Sequence, residues 1–260
     1  MQSNTNLNYQ PFESLRVQRP VHRIDYICSL VKGLRVLDLG AYDETEVTRV
    51  QHKSWKWLHR EIADSAAEVL GVDSTEKLMR SGELTTGPKS KIIYGNVENL
   101  TDIVKSFQPD IIVAGELIEH VEAPMSWLRH LAAAAPGRRL VITTPNATSL
   151  INIALAMLAR ENCHEDHLAI FSFKTLSTIS RRVPLKNAMI RPYYYDAQVF
   201  RGRFHGAVTP LVNLIEYSFL RPAQFMFPLA AFGLILESTL GSEPSKPLQH
   251  PAPQSSPHRE

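Results

Sequence analysis

The sequence lacks the features that mark secreted, membrane-spanning or strongly basic proteins. Its 260 residues include only two cysteines, Cys28 and Cys163, so a disulfide framework is excluded and a cytoplasmic location is expected. The N-terminal 20 residues contain no apolar core, so no signal peptide is expected. Basic and acidic residues number 28 and 26, and this balance argues against a nucleic-acid partner.

Long hydrophobic runs are also missing. The most apolar stretch, 222–236, is shorter than the roughly 20 residues that cross a bilayer, so no membrane span is expected. The wider apolar region 211–236 is compatible with core, with a homodimer interface or with a substrate entrance. The segment 241–260 holds five prolines and four serines and is expected to be a disordered tail. Residues 1–19 are polar and aperiodic, which predicts a flexible arm before a folded body at 20–240.

The folded body alternates short apolar runs with amphipathic stretches. Seven strands are predicted, at 34–40, 67–73, 91–97, 110–116, 138–146, 188–195 and 230–237. The helices are predicted at 20–32, 54–65, 101–107, 125–134, 149–160, 172–182 and 210–219. Strands that alternate with helices indicate an α/β fold, a doubly wound and mostly parallel sheet with helices on both faces.

Polar residues end five of the predicted strands. They are Asp38, Asp73, Asn96, Glu116 and Asn146. In an open parallel sheet the carboxyl ends of the strands share one edge, and ligands bind there at the point where the strand order reverses. The sequence therefore predicts a ligand site at this edge.

The first two of these positions suit a nucleoside. Gly40 follows Asp38 closely and allows a tight backbone turn against a ligand. Asp73 ends the second strand, where a carboxylate accepts hydrogen bonds from a ribose diol. Asp is also a strong N-cap residue, so an alternative is that Asp73 only caps the next helix.

Five segments resemble the class I S-adenosylmethionine-dependent methyltransferases. They are VLDLGAYDE, VLGVDSTEKL, IIYGNVENL, PDIIVAGELIEHVEAPMSWLRHL and GRRLVITTPN, which together span most of 34–146. EHVEAP, TTPN and HEDHLAIFSFKTL are similar to ubiquinone-biosynthesis-type O-methyltransferases. The resemblance implies a Rossmann-like methyltransferase fold, a seven-stranded sheet with an antiparallel last strand. It places the methyltransferase domain at 20–240 and acceptor-lid segments at 147–187 and 196–229.

The resemblance also implies six residues that bind S-adenosylmethionine: Asp38, Gly40, Asp73, Asn96, Val97 and Glu116. Asp38 and Gly40 would shape the loop under the methionine part, and Asp73 would hold the ribose hydroxyls. Asn96 and Val97 would contact the adenine. Glu116 would lie near the sulfonium.

The glycine loop departs from the family pattern. The family usually has GxGxG, whereas Gly40 is followed here by Ala41, Tyr42 and Asp43. The acidic residues Asp43, Glu44 and Glu46 would favour a cationic sulfonium and would repel the pyrophosphate of NAD. The missing glycines leave open a non-catalytic binding protein on the same fold.

The segment Glu116-Leu-Ile-Glu119-His120, with a later histidine, resembles a divalent-metal site of small-RNA 2'-O-methyltransferases. Glu116, Glu119, His120 and His167 are the predicted metal ligands, and His120, His167 and Glu116 are the predicted catalytic residues. Carboxylates and imidazoles suit Mg, Mn, Fe or Zn. The alternatives are that Glu119 and His120 cap a helix and that His167 only holds a loop. His59 is predicted to be a structural histidine.

The function that follows is O-methylation of a small-molecule acceptor by S-adenosylmethionine. The acceptor would carry a hydroxyl, as a sugar, a quinol or a secondary metabolite does. Two alternatives stay open: a metal-dependent RNA 2'-O-methyltransferase and the non-catalytic binding protein.

Overall fold

A computed structural model describes residues 7–43, 56–196 and 209–242 of the chain. Its centre is one sheet of eight strands. They are β1 (Arg35–Leu39), β2 (Glu68–Asp73), β3 (Glu83–Gly87), β4 (Ser90–Tyr94), β5 (Ile111–Gly115), β6 (Arg139–Pro145), β7 (Leu185–Tyr193) and β8 (Gly233–Leu240).

Helices connect most of these strands. They are α1 (Arg23–Val31), α2 (Leu58–Ser65), α3 (Glu76–Ser81), α4 (Thr101–Phe107), α5 (Pro124–Ala134), α6 (Leu150–Ala156), α7 (Phe173–Arg182), α8 (Thr209–Ile215) and α9 (Arg221–Met226). A π-helical turn, Glu216–Leu220, joins α8 to α9. Short 3-10 turns lie at Ile118–His120 and Pro228–Ala230. None of the helices in the described part of the chain is long and apolar enough to cross a bilayer.

The strand order is β3-β4-β2-β1-β5-β6-β8-β7. The five strands from β4 to β6 run parallel, and β8 lies antiparallel between β6 and β7. The predicted fold class is confirmed, including the antiparallel last strand. The sheet has one strand more than predicted, because β3 forms an antiparallel hairpin with β4. In β3 only Leu84 is a large apolar residue, so this edge strand carries no alternating pattern for the sequence to reveal.

The parallel strands are apolar because both of their faces are covered. In β5 the four residues from Ile111 to Ala114 are fully buried. One face packs with Trp127, Leu128 and other residues of α5 in the larger hydrophobic cluster, and the opposite face packs with residues of α1 and α2 in a second cluster. Helices on both faces are what the continuous apolar runs of a parallel sheet require.

Most predicted elements lie within a few residues of the observed ones. The helix predicted at 210–219 is longer, because the π-helical turn lets the chain continue into α9. The helix predicted from residue 54 is observed from Leu58, and Trp55 lies outside the described residues. The loop acids Glu44 and Glu46 and the tail from residue 243 also lie outside them.

The described part of the N-terminal arm, 7–19, forms neither helix nor strand. Its side chains nonetheless contact the domain. Glu13 pairs with Lys174 of α7 at 2.9 Å, and Leu15 and Val17 pack against the larger hydrophobic cluster. The boundary at residue 20 and the flexibility of the arm stay predictions.

Candidate functional site

A cavity of about 810 Å³ opens at the carboxyl edge of the sheet. β1 lies between β2 and β5 in the sheet. The strands that follow β1 first extend the sheet on the β2 side, and β5 then starts the other side, so the strand order reverses at β1. This is the position where an open α/β sheet binds its ligand, and the volume falls within the roughly 300–1,000 Å³ typical of such sites. The residues predicted from the sequence that line this cavity are Asp38, Gly40, Asp43, Asp73, Glu116, His120 and His167.

The end of β1 is held by a buried histidine. Asp38 is 2 % exposed, and its Oδ2 lies 2.8 Å from Nδ1 of His59 on α2. The other ring nitrogen lies 2.9 Å from the hydroxyl oxygens of Thr86 and Ser90, in the β3–β4 hairpin. If Nδ1 donates to the carboxylate, Nε2 accepts from a hydroxyl, so every polar atom of the ring is satisfied. The structural role predicted for His59 thus includes orienting a carboxylate that lines the cavity, a contact that the sequence pattern could not reveal.

Gly40 allows the turn after β1. Its φ is +69°, in the left-handed region, and an added Cβ would lie 3.1 Å from Cδ1 of Leu117. Its N–H donates to the carbonyl of Val72 on β2 at 2.9 Å. A larger residue here would strain the backbone and crowd the floor of the cavity.

Asp73 orders the neighbouring loops at the end of β2. One carboxylate oxygen accepts from the N–H of Tyr42 and the other from the N–H of Thr75, each at 3.0 Å. Thr75, rather than Asp73, is the N-cap of α3, so the capping alternative does not describe this residue. Burial raises the pKa of Asp73, against the hydrogen bonds from the backbone that lower it. With backbone hydrogen bonds from Tyr42, Thr75 and Ser74, the carboxylate keeps acceptor capacity for a ligand hydroxyl.

Asn96 and Val97 lie outside the residues that line the cavity. The Oδ1 of Asn96 accepts from the N–H of Glu98 at 2.8 Å, and the carbonyl of Val97 accepts from the indole of Trp127 at 3.0 Å. Both residues follow β4, and the N–H of Gly95, which precedes Asn96, donates to the carbonyl of Asp73 at 2.9 Å. Their contact with an adenine stays a prediction.

Glu116 follows β5 in a backbone conformation that non-glycine residues rarely adopt, with φ +53°. Its N–H donates to the carbonyl of Thr143 at 3.0 Å and to the hydroxyl of the same residue at 3.1 Å, which holds this conformation. Its carboxylate accepts from the hydroxyl of Tyr193 at 2.9 Å and lies 4.0 Å from Nε of Arg23. Burial, and then the charge of Glu116, raises the pKa of Tyr193, so this phenol stays protonated and donates. Sequence reasoning named Glu116 but not the two partners that orient it.

Three of the four predicted metal ligands meet. Glu119, His120 and His167 each offer one ligand atom, and these atoms lie within 4.8 Å of one another. Glu116 is not part of this group, because its carboxylate is directed to Tyr193. The predicted set of four is therefore reduced to three in this structure.

Glu119 is the unusual member of the three. It is 1 % exposed, and neither carboxylate oxygen has a hydrogen-bond partner among the described residues. Burial, together with the charge of Glu116, raises the pKa of Glu119 to about 8. A buried carboxylate without donors is costly unless a cation or a proton neutralises it. This orphaned group fits a metal ligand.

The histidines come from segments far apart in sequence. Residues 164–169 are held beside the 3-10 turn, because the N–H groups of Leu168 and Ala169 both donate to the carbonyl of Glu119, at 2.7 and 3.2 Å. The rings of His120 and His167 then lie 4.7 Å apart, edge to face. Burial, and then the neighbouring His120, lowers the pKa of His167. A neutral imidazole is the form that binds a metal or accepts a proton.

His164 lies beside this group and was not among the predicted metal ligands. Its ring lies 5.9 Å from that of His167, and it lines the cavity with Asp166. The sequence signal was present, since His164 and His167 belong to the same HEDH segment.

Residues 9–188 match the model of a family described as a methyltransferase domain. No curated protein matches the sequence significantly. A solved structure of a SAM-dependent methyltransferase from Archaeoglobus fulgidus is similar, with 16 % identity over 83 % of this chain and 90 % of its own, at a TM-score of 0.47.

Two further structures are similar. The magnesium protoporphyrin IX methyltransferase of Synechocystis, with bound SAH, has 14 % identity over 84 % of this chain and 81 % of its own, at a TM-score of 0.46. The small RNA methyltransferase HEN1 has 12 % identity over 90 % of this chain and 28 % of its own, at a TM-score of 0.51. At such low identity the likeness to HEN1 shows a shared fold alone.

Proposed function

This chain belongs to the methyltransferase domain family, and on that premise we propose that it methylates a hydroxyl oxygen of a small molecule. It is an S-adenosylmethionine-dependent methyltransferase. When bound, S-adenosylmethionine supplies a methyl group on a positively charged sulfur. The acceptors we propose are a sugar, a quinol or a secondary metabolite, and a cytoplasmic location stays a prediction.

The residues at the ends of β1 and β2 fit the cofactor. Asp73 lies at the cavity, held by backbone N–H groups, and its carboxylate keeps acceptor capacity for a ribose hydroxyl. Asp38 is held in one orientation by His59, and Gly40 lets the backbone approach the ligand. The carboxylates of this cavity favour a cationic sulfonium.

The group formed by Glu119, His120 and His167 is the observation that supports oxygen as the methylated atom. One carboxylate oxygen and two imidazole nitrogens suit Mn²⁺, Fe²⁺ or Zn²⁺, and the orphaned carboxylate of Glu119 fits such an ion. A bound ion would lower the pKa of an acceptor hydroxyl. The residues themselves would hold the ion and orient the acceptor hydroxyl beside it. The hydroxyl proton would leave to water, because a neutral imidazole that binds an ion through one ring nitrogen carries its proton on the other.

The test is turnover of a panel of quinols, catechols and sugars, measured as release of S-adenosylhomocysteine. We expect activity that EDTA removes and Mn²⁺ restores, and an O-methyl product by mass spectrometry and NMR. His167→Ala should reduce kcat at least tenfold. The matched control is His130→Ala, an exposed histidine of α5, which should retain full activity. Products methylated only on nitrogen or carbon would contradict the proposal.

The same three residues also favour a second candidate, metal-dependent 2'-O-methylation of RNA. The balanced charge of the chain speaks against it, since RNA-binding proteins generally present a basic face. Methylation of a short RNA duplex, but of none of the small acceptors, would favour this candidate.

The glycine-poor loop is the reason to test catalysis and binding separately. Ala41 is almost fully buried after Gly40. Calorimetry with S-adenosylhomocysteine measures binding without any acceptor. Binding in the absence of all turnover would support the non-catalytic alternative, and no binding at millimolar ligand would remove the cofactor assignment as well.

A further inference from the structure

The carboxylate of Glu116 is bound to partners outside the metal group. It accepts from the hydroxyl of Tyr193 at 2.9 Å, and Nε of Arg23 lies 4.0 Å away. Tyr193 is 2 % exposed, and its ring lies over Gly233 of β8, where any added Cβ would overlap it. If Glu116 turned to an ion, this buried hydroxyl would lose its acceptor, which costs free energy. The metal group therefore lacks the fourth ligand that the sequence predicted.

A tight turn brings two histidines to the metal group. The N–H of His167 donates to the carbonyl of His164 at 3.1 Å, which closes the turn, and both side chains line the cavity. The backbone that follows is fastened to Glu119, because the N–H of Leu168 donates to the Glu119 carbonyl at 2.7 Å. Backbone hydrogen bonds thus hold both imidazoles beside the orphaned carboxylate.

The spacing of the three imidazole rings suits one shared ion. Metal–nitrogen bonds of about 2.1 Å hold the ring centroids of two neighbouring imidazole ligands about 4.5–5.2 Å apart. The rings of His120 and His167 lie 4.7 Å apart, within this range. His164 lies 5.9 Å from His167 and 6.4 Å from His120, which is about 1 Å too far. The side chain of His164 is 61 % exposed, so rotation about its own bonds closes this gap without moving the backbone.

Asp166 supplies the outer partner that a metal-binding histidine requires. Its Oδ2 lies 3.4 Å from Nδ1 of His164, and its backbone nitrogen lies 3.3 Å from the same atom. When Nδ1 carries the ring proton and donates it to the carboxylate, Nε2 presents a lone pair to the ion. Histidines that bind metals usually donate their other ring N–H to a carboxylate, a carbonyl or water. The pair of His164 and Asp166 has the atoms for this arrangement.

We propose that His164 is the fourth protein ligand of the metal group, in the position that Glu116 leaves. This assignment rests on the metal site of the proposed function. The ligands are then one carboxylate, from Glu119, and the three imidazoles of His120, His164 and His167. Imidazole suits Zn²⁺, Fe²⁺ and neighbouring transition ions, whereas Mg²⁺ prefers carboxylate and water. Exchange of a carboxylate for an imidazole therefore selects a transition ion against Mg²⁺.

Metal binding to the full chain, freed of metal by EDTA and then dialysed, tests this assignment without cofactor or acceptor. Calorimetry should show one site for Co²⁺ and roughly 100-fold weaker binding of Mg²⁺. His164→Asn and Asp166→Asn should each weaken Co²⁺ binding by about tenfold or more. Glu116→Gln should change the affinity by less than about threefold. The matched control is His130→Asn, an exposed histidine of α5, which should bind Co²⁺ as the native chain does.

NMR of the ring nitrogens separates ligation from a structural role. With Zn²⁺ the signals of three histidines should shift, and one of these shifts should be absent from His164→Asn. The assignment is overturned if only two histidines shift, or if His164→Asn binds Co²⁺ as tightly as the native chain. It is equally overturned if Glu116→Gln loses tenfold in affinity while His164→Asn does not, or if the native chain binds no Co²⁺. Failure to methylate an oxygen, with these metal results intact, would overturn the proposed function alone.

Discussion

Replacing Glu119 by glutamine tests the buried carboxylate and the metal group together. In the unfolded chain this carboxyl ionises near its ordinary pKa of 4.5, whereas burial in the folded protein raises that pKa to about 8. Between these values the unfolded state releases the proton and the folded state retains it. The free energy of unfolding of the metal-free protein therefore falls as the pH rises from about 4.5 to 8.

The magnitude follows from the size of the shift. pH 7 lies about 2.5 pH units above the pKa of the unfolded carboxyl, and each of these units lowers the free energy of unfolding by about 1.4 kcal/mol. At pH 7 the folded protein is therefore destabilised by about 3 kcal/mol relative to acidic pH. A glutamine side chain has nearly the same shape and no charge, so the Glu119→Gln variant loses this pH dependence. Near pH 5 the variant and the native protein should differ by about 1 kcal/mol or less. At pH 8 the variant should melt several degrees higher, at about 2–4 °C per kcal/mol for a domain of this size.

The assay is thermal unfolding in EDTA at pH 5, 6, 7 and 8. The matched control is Glu122→Gln, an exposed glutamate three residues away, which should follow the native curve. Mn²⁺ at pH 8 should then raise the melting temperature of the native protein and leave Glu119→Gln unchanged, because the ion binds the ionised carboxylate. If Glu119→Gln melts at a lower temperature than the native protein at pH 8, the conclusion that the Glu119 carboxylate is buried without a compensating partner is wrong. Equal protection of both proteins by Mn²⁺ would place the ion elsewhere.

Three further substitutions probe the cofactor side. Asp73→Ala should weaken S-adenosylhomocysteine binding at least tenfold in calorimetry, because ribose hydrogen bonds and the order of the Tyr42 loop are both lost, whereas the exposed Asp102→Ala should bind normally. His59→Ala should lower the free energy of unfolding by about 3 kcal/mol in urea titrations, because Asp38 loses its buried partner; a change below about 0.5 kcal/mol would contradict this role. Gly71→Ala should cost about 1–3 kcal/mol in the same titrations, because the new Cβ would lie 2.7 Å from that of Ala41 and 2.8 Å from Ile92; unchanged stability would show that the sheet relaxes freely.

The sheet was predictable because its signals are local. Continuous apolar runs such as 110–116 mark strands that are covered on both faces. Gly33, with a φ of +71°, follows the end of α1, as expected for a glycine after a helix. Parallel strands joined by right-handed crossovers must bring their carboxyl ends to one edge. The grouping of Asp38, Asp73 and Glu116 around one cavity follows from this rule, without any knowledge of their contacts.

The edges of the sheet were less predictable. β3 is a short hairpin strand with little apolar pattern, and its existence depends on pairing with β4. The extension of α8 into α9 depends on a π-helical turn whose residues show no local signal. In both cases packing with the rest of the chain outweighs local propensity.

The sequence pattern alone establishes the fold and the edge of the sheet where a ligand binds, because hydrophobic periodicity and the polar residues at strand ends are local features of the sequence. Only the tertiary structure separates Glu116, which is bound to Tyr193, from the group of Glu119, His120 and His167. It alone also brings the segment that follows His167 to the carbonyl of Glu119. These features depend on burial and on contacts between distant residues, which no local pattern of the chain specifies.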